Sequence, residues 1–146
     1  MTNCVLCKEE LKPEEGLLIW RGDDCRVILV NDVDLPGFCR VIWNRHVAEM
    51  TELTHGEREH LMSLVFAVEE VVRHVMHPDK VNIAALGNMV PHIHWHVIPR
   101  YKDDAFFPGS PWSQKTQQTP STQMEDRKQL AQQLPNAIKS AIAALF

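Results

Sequence analysis

The sequence predicts an α+β domain with an antiparallel meander of about five strands, one long helix and a C-terminal helical tail. Three observations support this prediction. Short apolar runs separated by turn residues fill the first part of the 146-residue chain. One long segment then carries apolar residues at helical spacing. After it, three histidines alternate with apolar residues, a pattern typical of a half-buried strand.

Turn residues mark the limits of the first three strands. Residues 17–21 and 25–31 are predicted strands, because Gly22-Asp23-Asp24 between them is a hairpin signal. Leu35-Pro36-Gly37 is a second break, since proline and glycine occupy adjacent turn positions. Residues 39–43 follow as the third strand.

The long helix is predicted from a capping box and an apolar stripe. Thr54 and Glu57 stand at the two positions of a capping box, in which each side chain caps the other residue's backbone N–H. The helix is expected to end near residues 77–78. Its apolar stripe consists of Leu61, Leu64, Val65, Val68, Val71, Val72 and Val75. Residues 81–86 and the histidine run supply the fourth and fifth strands.

The pattern weakens in the last third of the chain. Residues 113–123 are rich in Ser, Gln, Thr and Pro and are predicted to be a loop or linker. A C-terminal helix is expected beyond them, with Pro135 causing a kink or a new start near Asn136. Its apolar positions are Leu130, Leu134, Ile138, Ile142 and Leu145. We therefore divide the chain into a domain over residues 1–112 and a linker with a helical extension of that domain over residues 113–146.

Composition argues against several classes of protein. Hydrophobic residues make up 45% of the chain and charged residues 23%, as in ordinary globular domains. The formal net charge of −4 argues against a general nucleic-acid-binding surface. The first residues lack the pattern of a signal peptide, and no apolar run approaches the length of a membrane span. We expect a cytoplasmic protein with no nucleic-acid or membrane partner, whose four cysteines are thiols or metal ligands.

The histidine run is the first candidate site. His92, His94 and His96 alternate with apolar residues, so a strand would place all three imidazoles on one face. Neutral imidazole attacks phosphorus and carbonyl centres near pH 7, and a protonated neighbour can hold phosphate oxygens or protonate a leaving group. A metal site is the other interpretation, because two histidines at i and i+2 of a strand can bind a metal whose third ligand comes from elsewhere.

The pair Cys4-Val5-Leu6-Cys7 is the second candidate site. Its spacing is typical of a zinc knuckle, but one such pair supplies only two ligands. A redox function would want the pair at the start of a helix after a strand, and no strand precedes it. A zinc site and a pair of unmetallated thiols both remain open. Cys25 and Cys39 fall in strand patterns and are predicted to be small core residues.

Residues 92–98, His-Ile-His-Trp-His-Val-Ile, resemble the signature of the histidine triad (HIT) family. The resemblance extends over about residues 4–101 and includes the segments 29–31, 35–37 and 82–88. It implies a HIT-like fold and a nucleotide hydrolase or transferase. Such an enzyme attacks the α-phosphate of dinucleoside polyphosphates, such as diadenosine tetraphosphate, through a covalent nucleotidyl-histidine intermediate. A nucleoside phosphoramidase and a nucleotide-binding protein with little turnover remain alternatives.

The resemblance also implies roles for individual residues. His94 is the nucleophile, His96 contacts the phosphate and assists the leaving group, and His92 supports the surroundings of the nucleophile. The residues implied in nucleotide binding are Asn31 and Asp32 at the ribose, Asn88 at a phosphate oxygen, and Leu29 and Phe38 beside the base. Phe38 stands where the family often has histidine, and Trp43-Asn44 stands where it tends to have proline.

A zinc site and a dimer are further implications of the resemblance. Some family members complete a Cys-x-x-Cys pair with two histidines, and the matching positions here are His46 and His92. Together with Cys4 and Cys7 they would form a closed tetrahedral site, hence a structural zinc. The chemistry itself would then need no cofactor. Family members usually pair through the long helix and a strand edge, which implies a homodimer.

Overall fold

The computed structural model of the chain describes residues 3–8 and 10–146. Five strands form one antiparallel sheet, and helices pack on one of its faces. The strands are β1 (Gly16–Arg21), β2 (Cys25–Val30), β3 (Cys39–Trp43), β4 (Lys80–Ala84) and β5 (His94–Arg100). The helices are α1 (His55–Met76), α2 (Ser121–Ala131) and α3 (Leu134–Ala143), with a short 3-10 helix at Met50–Glu52. The predicted α+β class is therefore confirmed.

The strand order of the sheet is β1-β2-β3-β5-β4, and every neighbouring pair is antiparallel. The first three strands form the predicted meander. The chain then crosses through α1 to the edge strand β4, and β5 returns between β4 and β3. As a result, β5 is hydrogen-bonded on both sides, and the residues it carries are held by two neighbouring strands.

The strand register decides which residues share a face of the sheet. In the β3–β5 ladder, Arg40 lies opposite His96 and Ile42 lies opposite His94. Directly opposed residues of an antiparallel pair point to the same side. The histidine face therefore also carries Arg40 and Ile42. The opposite face packs in the core against α1 and α3, and it includes Cys25, Val27, Cys39, Val41, Trp43 and Val97.

Helix α1 begins with the predicted capping box. The Thr54 hydroxyl accepts from the Glu57 N–H at 3.1 Å, and the Glu57 carboxylate accepts from the Thr54 N–H at 2.8 Å. His77 ends the helix in the left-handed region at φ 50°. Five members of the stripe are fully buried, and each stabilises the fold by about 1.5–3 kcal/mol: Leu61, Leu64, Val65, Val68 and Val72. No helix in the described part of the chain is long and apolar enough to cross a membrane.

The C-terminal region differs from its prediction. Helix α2 begins at Ser121, inside the predicted linker. The apolar pattern did not predict this start because polar contacts anchor the helix. Arg127 pairs with Asp103 at 2.8 Å and lies 3.7 Å from the centroid of the Tyr101 ring. Pro135 falls in the first turn of a separate helix, where a missing N–H costs nothing. Helix α3 buries Leu134, Ile138 and Ile142 in the core. The division of the chain at residue 112 stays a prediction.

Candidate active site and metal site

The three histidines do not form a single row on one strand. Strand β5 begins at His94, so it contains His94 and His96 but not His92. His92 lies in the turn before it, where the His92 N–H donates to the Val90 carbonyl and the Ile93 N–H donates to the Val47 carbonyl instead of to a neighbouring strand. The strand pattern therefore describes two of the three histidines, and His92 is oriented separately.

A hydrogen bond fixes the tautomer of His94. Its Nδ1 lies 2.6 Å from the backbone carbonyl oxygen of His92. A carbonyl oxygen only accepts hydrogen bonds, so Nδ1 carries the proton and Nε2 keeps its lone pair. Burial lowers the pKa of His94, although the hydrogen bond to His92 opposes this shift. A neutral imidazole with an unprotonated Nε2 is the form that attacks phosphorus.

His96 is enclosed by four side chains. Its ring centroid lies 4.9 Å from those of His94 and Trp112 and 5.6 Å from that of Phe38, all in edge-to-face geometry. Arg40 Nε donates to His96 Nδ1 at 3.4 Å. Burial, followed by the charge of Arg40 and the neighbouring His94, lowers the pKa of His96 to about 3. His96 is therefore neutral at physiological pH, with its ring proton on Nε2.

The segment that carries Trp112 is anchored by a buried ion pair that the sequence did not reveal. Arg100 binds Asp104 through Nε at 2.8 Å and Nη2 at 3.1 Å. The same guanidinium donates to Asn82 Oδ1 at 2.7 Å and to the Gly109 carbonyl at 2.8 Å. Burial alone would raise the pKa of Asp104, but hydrogen bonds, that from Arg100 foremost, hold it below its usual value. Asp104 also accepts from the backbone N–H groups of Tyr101, Phe106 and Phe107.

The residues predicted to bind the ribose lie at the end of β2. Asn31 is exposed, and its Nδ2 donates to the Glu14 carbonyl at 3.0 Å. Asp32 Oδ1 accepts from the N–H groups of Asp34 at 2.9 Å and Leu35 at 3.1 Å, and so caps the turn that follows. Both residues line a cleft of about 530 Å³.

The structure separates the other predicted nucleotide-binding residues. Phe38 contacts His96. Leu29, by contrast, lies opposite Cys39 in the β2–β3 ladder, on the face away from His96. There it is partly buried and lines the same cleft as Asn31 and Asp32. Asn88 is exposed in the loop between β4 and β5.

The four predicted metal ligands converge. One ligand atom from each of Cys4, Cys7, His46 and His92 lies within 4.8 Å of the others. His92 Nδ1 lies 3.3 Å from His46 Nδ1 and 3.5 Å from each sulfur, and Cys7 Sγ lies 3.2 Å from His46 Nδ1. Zinc with usual bond lengths in a tetrahedral site separates two nitrogens by about 3.3 Å and a sulfur from a nitrogen by about 3.6 Å. These residues therefore fit a tetrahedral zinc ion.

His92 is prepared as a ligand by its second ring nitrogen. Its Nε2 donates to the backbone carbonyl of Trp43, which leaves Nδ1 unprotonated toward the cluster. Burial lowers the pKa of His92, so the imidazole is neutral. The backbone carbonyl of the same residue accepts the Nδ1 proton of His94. His92 thus connects the cluster of candidate metal ligands to His94 through its own backbone carbonyl.

Arg26 ties the cysteine turn to the sheet. Its Nη2 donates to the Leu6 carbonyl at 2.6 Å, and its Nη1 donates to Asn44 Oδ1 at 3.0 Å. Asn44 Nδ2 in turn donates to the carbonyls of Gly22 and Asp23. A proline at residue 44 could make none of these side-chain bonds, which gives a structural reason for this departure from the family pattern.

The other two cysteines are core residues, as predicted. Cys25 and Cys39 are both 0% exposed. Burial raises the pKa of each thiol to about 12. A buried thiol with so high a pKa is a poor nucleophile and a poor metal ligand. The cysteine chemistry of the chain therefore belongs to Cys4 and Cys7.

Comparison with known proteins identifies the family. A model of the HIT domain matches residues 13–103. An AP-4-A phosphorylase of Mycobacterium tuberculosis is 33% identical over 104 residues, which is 67% of this chain and 53% of that protein. A bis(5'-nucleosyl)-tetraphosphatase (asymmetrical) of Schizosaccharomyces pombe is 37% identical over 75 residues, which is 48% of this chain and 41% of that protein. The chain thus spans about half the length of these curated relatives.

A solved structure agrees with the family match. A histidine triad protein of Bradyrhizobium japonicum superimposes with a TM-score of 0.71 at 25% identity, covering 91% of this chain and 97% of that chain. The matched region, residues 13–103, includes all five strands and helix α1. The sequence signature, the fold and the match over most of its length therefore agree, and the chain belongs to the HIT domain family.

Proposed function

We propose that the protein is a nucleotide hydrolase or transferase that attacks the α-phosphate of dinucleoside polyphosphates, such as diadenosine tetraphosphate, through a covalent nucleotidyl-histidine intermediate. The observation that carries this proposal is the hydrogen bond from His94 Nδ1 to the His92 carbonyl, which leaves Nε2 as a neutral nucleophile. The names of the mycobacterial and fission-yeast relatives support the substrate class.

The proposed reaction has two steps at one phosphorus. His94 Nε2 forms a bond to the α-phosphorus, and the bond from that phosphorus to the bridging oxygen breaks. The nucleoside polyphosphate leaves as an anion, to which His96 Nε2 donates a hydrogen bond. Water then attacks the phosphorus, the bond to His94 breaks, and the proton lost from the water passes to solvent. Nucleoside monophosphate and neutral His94 are the products of this step.

The state of His96 favours an anhydride over a phosphoramidate as substrate. A polyphosphate leaves as an anion and needs only a hydrogen bond, whereas an amine needs a proton to leave. The imidazole of His96 is neutral, because burial and Arg40 hold its pKa at about 3. The phosphoramidase alternative is therefore less well supported. The binding-protein alternative predicts that nucleotide binds but no product forms.

Intact-protein mass spectrometry after rapid quenching tests this proposal. With diadenosine tetraphosphate, we expect wild type to gain the mass of one adenylyl group and His94→Ala to gain none. His74→Ala removes an exposed histidine of α1 and is the matched control; it should retain the adduct. An adduct on His94→Ala, or an unchanged rate of product formation by it, would contradict His94 as the nucleophile. Binding without product in wild type would favour the binding-protein alternative.

The nucleotide-binding residues belong to the same proposal. We infer that Asn31 and Asp32 bind the ribose and that Asn88 binds a phosphate oxygen. Support for Asn31 is its exposed amide, whose hydrogen bond to Glu14 could be exchanged for a ribose hydroxyl. Two positions support an apolar contact with the nucleotide: Phe38 lies against His96, and Leu29 lines the cleft of Asn31 and Asp32.

We also infer that Cys4, Cys7, His46 and His92 hold a structural zinc. When bound, a zinc ion with four protein ligands supplies cross-linking rather than catalysis, since it has no open position. We expect about one zinc per chain in elemental analysis and a lower melting temperature after chelation. Absence of zinc from protein purified without chelators would contradict the site. Loss of turnover on chelation without any loss of structure would instead favour a metal-dependent hydrolase.

A homodimer is the proposed assembly. Phe66 on α1 is 58% exposed, and Ile83 on the edge strand β4 is 37% exposed. Exposed apolar side chains beside an open strand edge favour pairing with another chain. We expect sedimentation velocity to give a dimer for wild type and a monomer for Phe66→Lys. Leu17→Lys, on the opposite edge strand, is the control and should remain a dimer. Dissociation by Leu17→Lys alone would contradict this interface.

A cytoplasmic location is also part of the proposal. Cys25 and Cys39 are unpaired thiols in the core, as is usual where thiols are kept reduced. Cell fractionation should find the protein with cytoplasmic markers. Recovery in an exported fraction would contradict this assignment.

A further inference from the structure

Arg40 places a permanent charge beside the third histidine. In the β3–β5 ladder it lies directly opposite His96, and its Nε donates to His96 Nδ1 at 3.4 Å. Its guanidinium carbon lies 5.3 Å from the centroid of the Phe38 ring. Strand register, a hydrogen bond and a ring contact thus fix the guanidinium independently. The main apolar core lies on the other face of the sheet, and the smaller apolar cluster on this face consists of Leu35, Phe38 and Ile98. Arg40 belongs to neither cluster, so core packing does not explain an arginine at this position.

The direction of this hydrogen bond determines the state of the ring. A guanidinium is always protonated and only donates, so His96 Nδ1 must accept. The neutral ring then carries its proton on Nε2. Within the described residues, His96 Nε2 has no hydrogen-bond partner. Nε2–H is therefore the one donor of this ring that remains for a substrate oxygen.

We propose that Arg40 is a positioning residue that holds His96 in the Nε2–H tautomer, so that the ring donates to the departing polyphosphate. This inference rests on the proposed function for its kinetic consequence, but the tautomer itself does not depend on any substrate. Without the guanidinium, nothing in the described contacts of His96 would fix which nitrogen carries the proton. The ring would then populate both tautomers, and part of the protein would present an acceptor to an anionic leaving group.

The first test reads the tautomer directly. Long-range ¹H–¹⁵N spectra of the zinc-loaded protein should show His96 as the Nε2–H form in wild type. Arg40→Met should show the Nδ1–H form or a mixture of both. Arg73→Met, which removes a cation from an exposed ion pair on α1, is the matched control and should match wild type. A pure Nε2–H form in folded Arg40→Met would overturn the proposal.

The second test separates positioning from charge. For diadenosine tetraphosphate we expect Arg40→Met to lower kcat by about 10–100-fold, with a smaller change in KM, because the substrate still binds while the donor is misplaced. Arg40→Lys keeps the charge but not the planar donor, so it should remain impaired. Full activity in Arg40→Lys would overturn positioning in favour of charge alone. If wild type itself turns over nothing, the proposed function fails while the tautomer result still stands.

Discussion

His92 and His94 are two residues apart in one motif, yet the structure gives them opposite ring chemistry. In His92, Nε2 donates to the Trp43 carbonyl, and Nδ1 turns its lone pair to the metal cluster. In His94, Nδ1 donates to the His92 carbonyl, and Nε2 keeps the lone pair. The difference shows that the carbonyl bonded to each ring, rather than the place of the residue in the motif, determines which ring nitrogen can bind a metal or attack an electrophile.

The largest expected effect comes from removing His94, the proposed nucleophile, while His92, the proposed metal ligand, is kept. His94→Ala should lower turnover of diadenosine tetraphosphate by about a thousandfold or more, because it removes the proposed nucleophile. Zinc content and melting temperature should stay near their wild-type values. Steady-state kinetics, elemental analysis and thermal melting measure the three quantities. Loss of zinc in this variant would break the proposed division between the two histidines.

The next effect concerns the buried Arg100–Asp104 ion pair, which anchors the segment that carries Trp112. Arg100 and Asp104 are 2% exposed, and their pair is held by further hydrogen bonds. Arg100→Met should lower the free energy of unfolding by about 3–5 kcal/mol, because a buried carboxylate loses its cation. Denaturant titration measures this change. The folded variant should keep its zinc, since the Arg100–Asp104 pair holds the segment of Trp112 and not the metal ligands. Loss of zinc from the folded variant would contradict the independence of these two parts of the site.

Removing one proposed metal ligand should affect zinc binding and stability more than turnover. Cys7→Ser should weaken zinc binding by at least about tenfold and lower the melting temperature. Residual turnover is expected in the folded fraction, because the donor to His94 lies in the protein backbone. Competition with a chromophoric chelator measures the affinity. Cys39→Ala removes a core thiol, leaves all four ligands in place, and is the control; its folded fraction should bind zinc with wild-type affinity.

The smallest effect is a pH dependence of stability. Arg40 and His94 face His96 from β3 and β5, Phe38 and Trp112 enclose it, and burial with these charges lowers its pKa to about 3. The unfolded ring has a pKa of about 6.5, so the unfolded state takes up a proton first as the pH falls. His96 should therefore cost stability between about pH 6.5 and 3, by at most about 1.4 kcal/mol per pH unit. Denaturant titrations at several pH values give the free energy of unfolding as a function of pH. This free energy should fall less steeply with falling pH in His96→Gln than in wild type. An equal pH dependence would contradict a buried neutral His96.

Local patterns in the sequence predicted most of the fold. The capping box at Thr54 and the apolar stripe behind it depend on neighbouring residues, and so do the strands around the turns at residues 22–24 and 35–37. Helix α2 was missed because tertiary contacts of Arg127, rather than an apolar stripe, hold it in place. Local periodicity cannot report such contacts.

The candidate site likewise contains residues that the sequence predicts and residues whose positions depend on long-range contacts. The motif spacing predicts Cys4 and Cys7 as a ligand pair, the family resemblance adds His46 and His92, and the structure brings all four together. The place of Arg40 beside His96 depends on the register between β3 and β5, and that of Trp112 depends on the anchor at Arg100. Both are long-range relations that a single sequence does not encode in any local pattern.

Native mass spectrometry during turnover of diadenosine tetraphosphate tests the separate roles of His92 and His94 most directly, since it measures bound zinc and covalent adduct in the same molecule. We expect one zinc and, transiently, one adenylyl group per wild-type chain. In His94→Ala we expect that the zinc remains and the adenylyl group never appears. An adduct that persists in His94→Ala, or that forms only on chains that have lost zinc, would contradict the assignment of His92 to the metal and His94 to phosphorus.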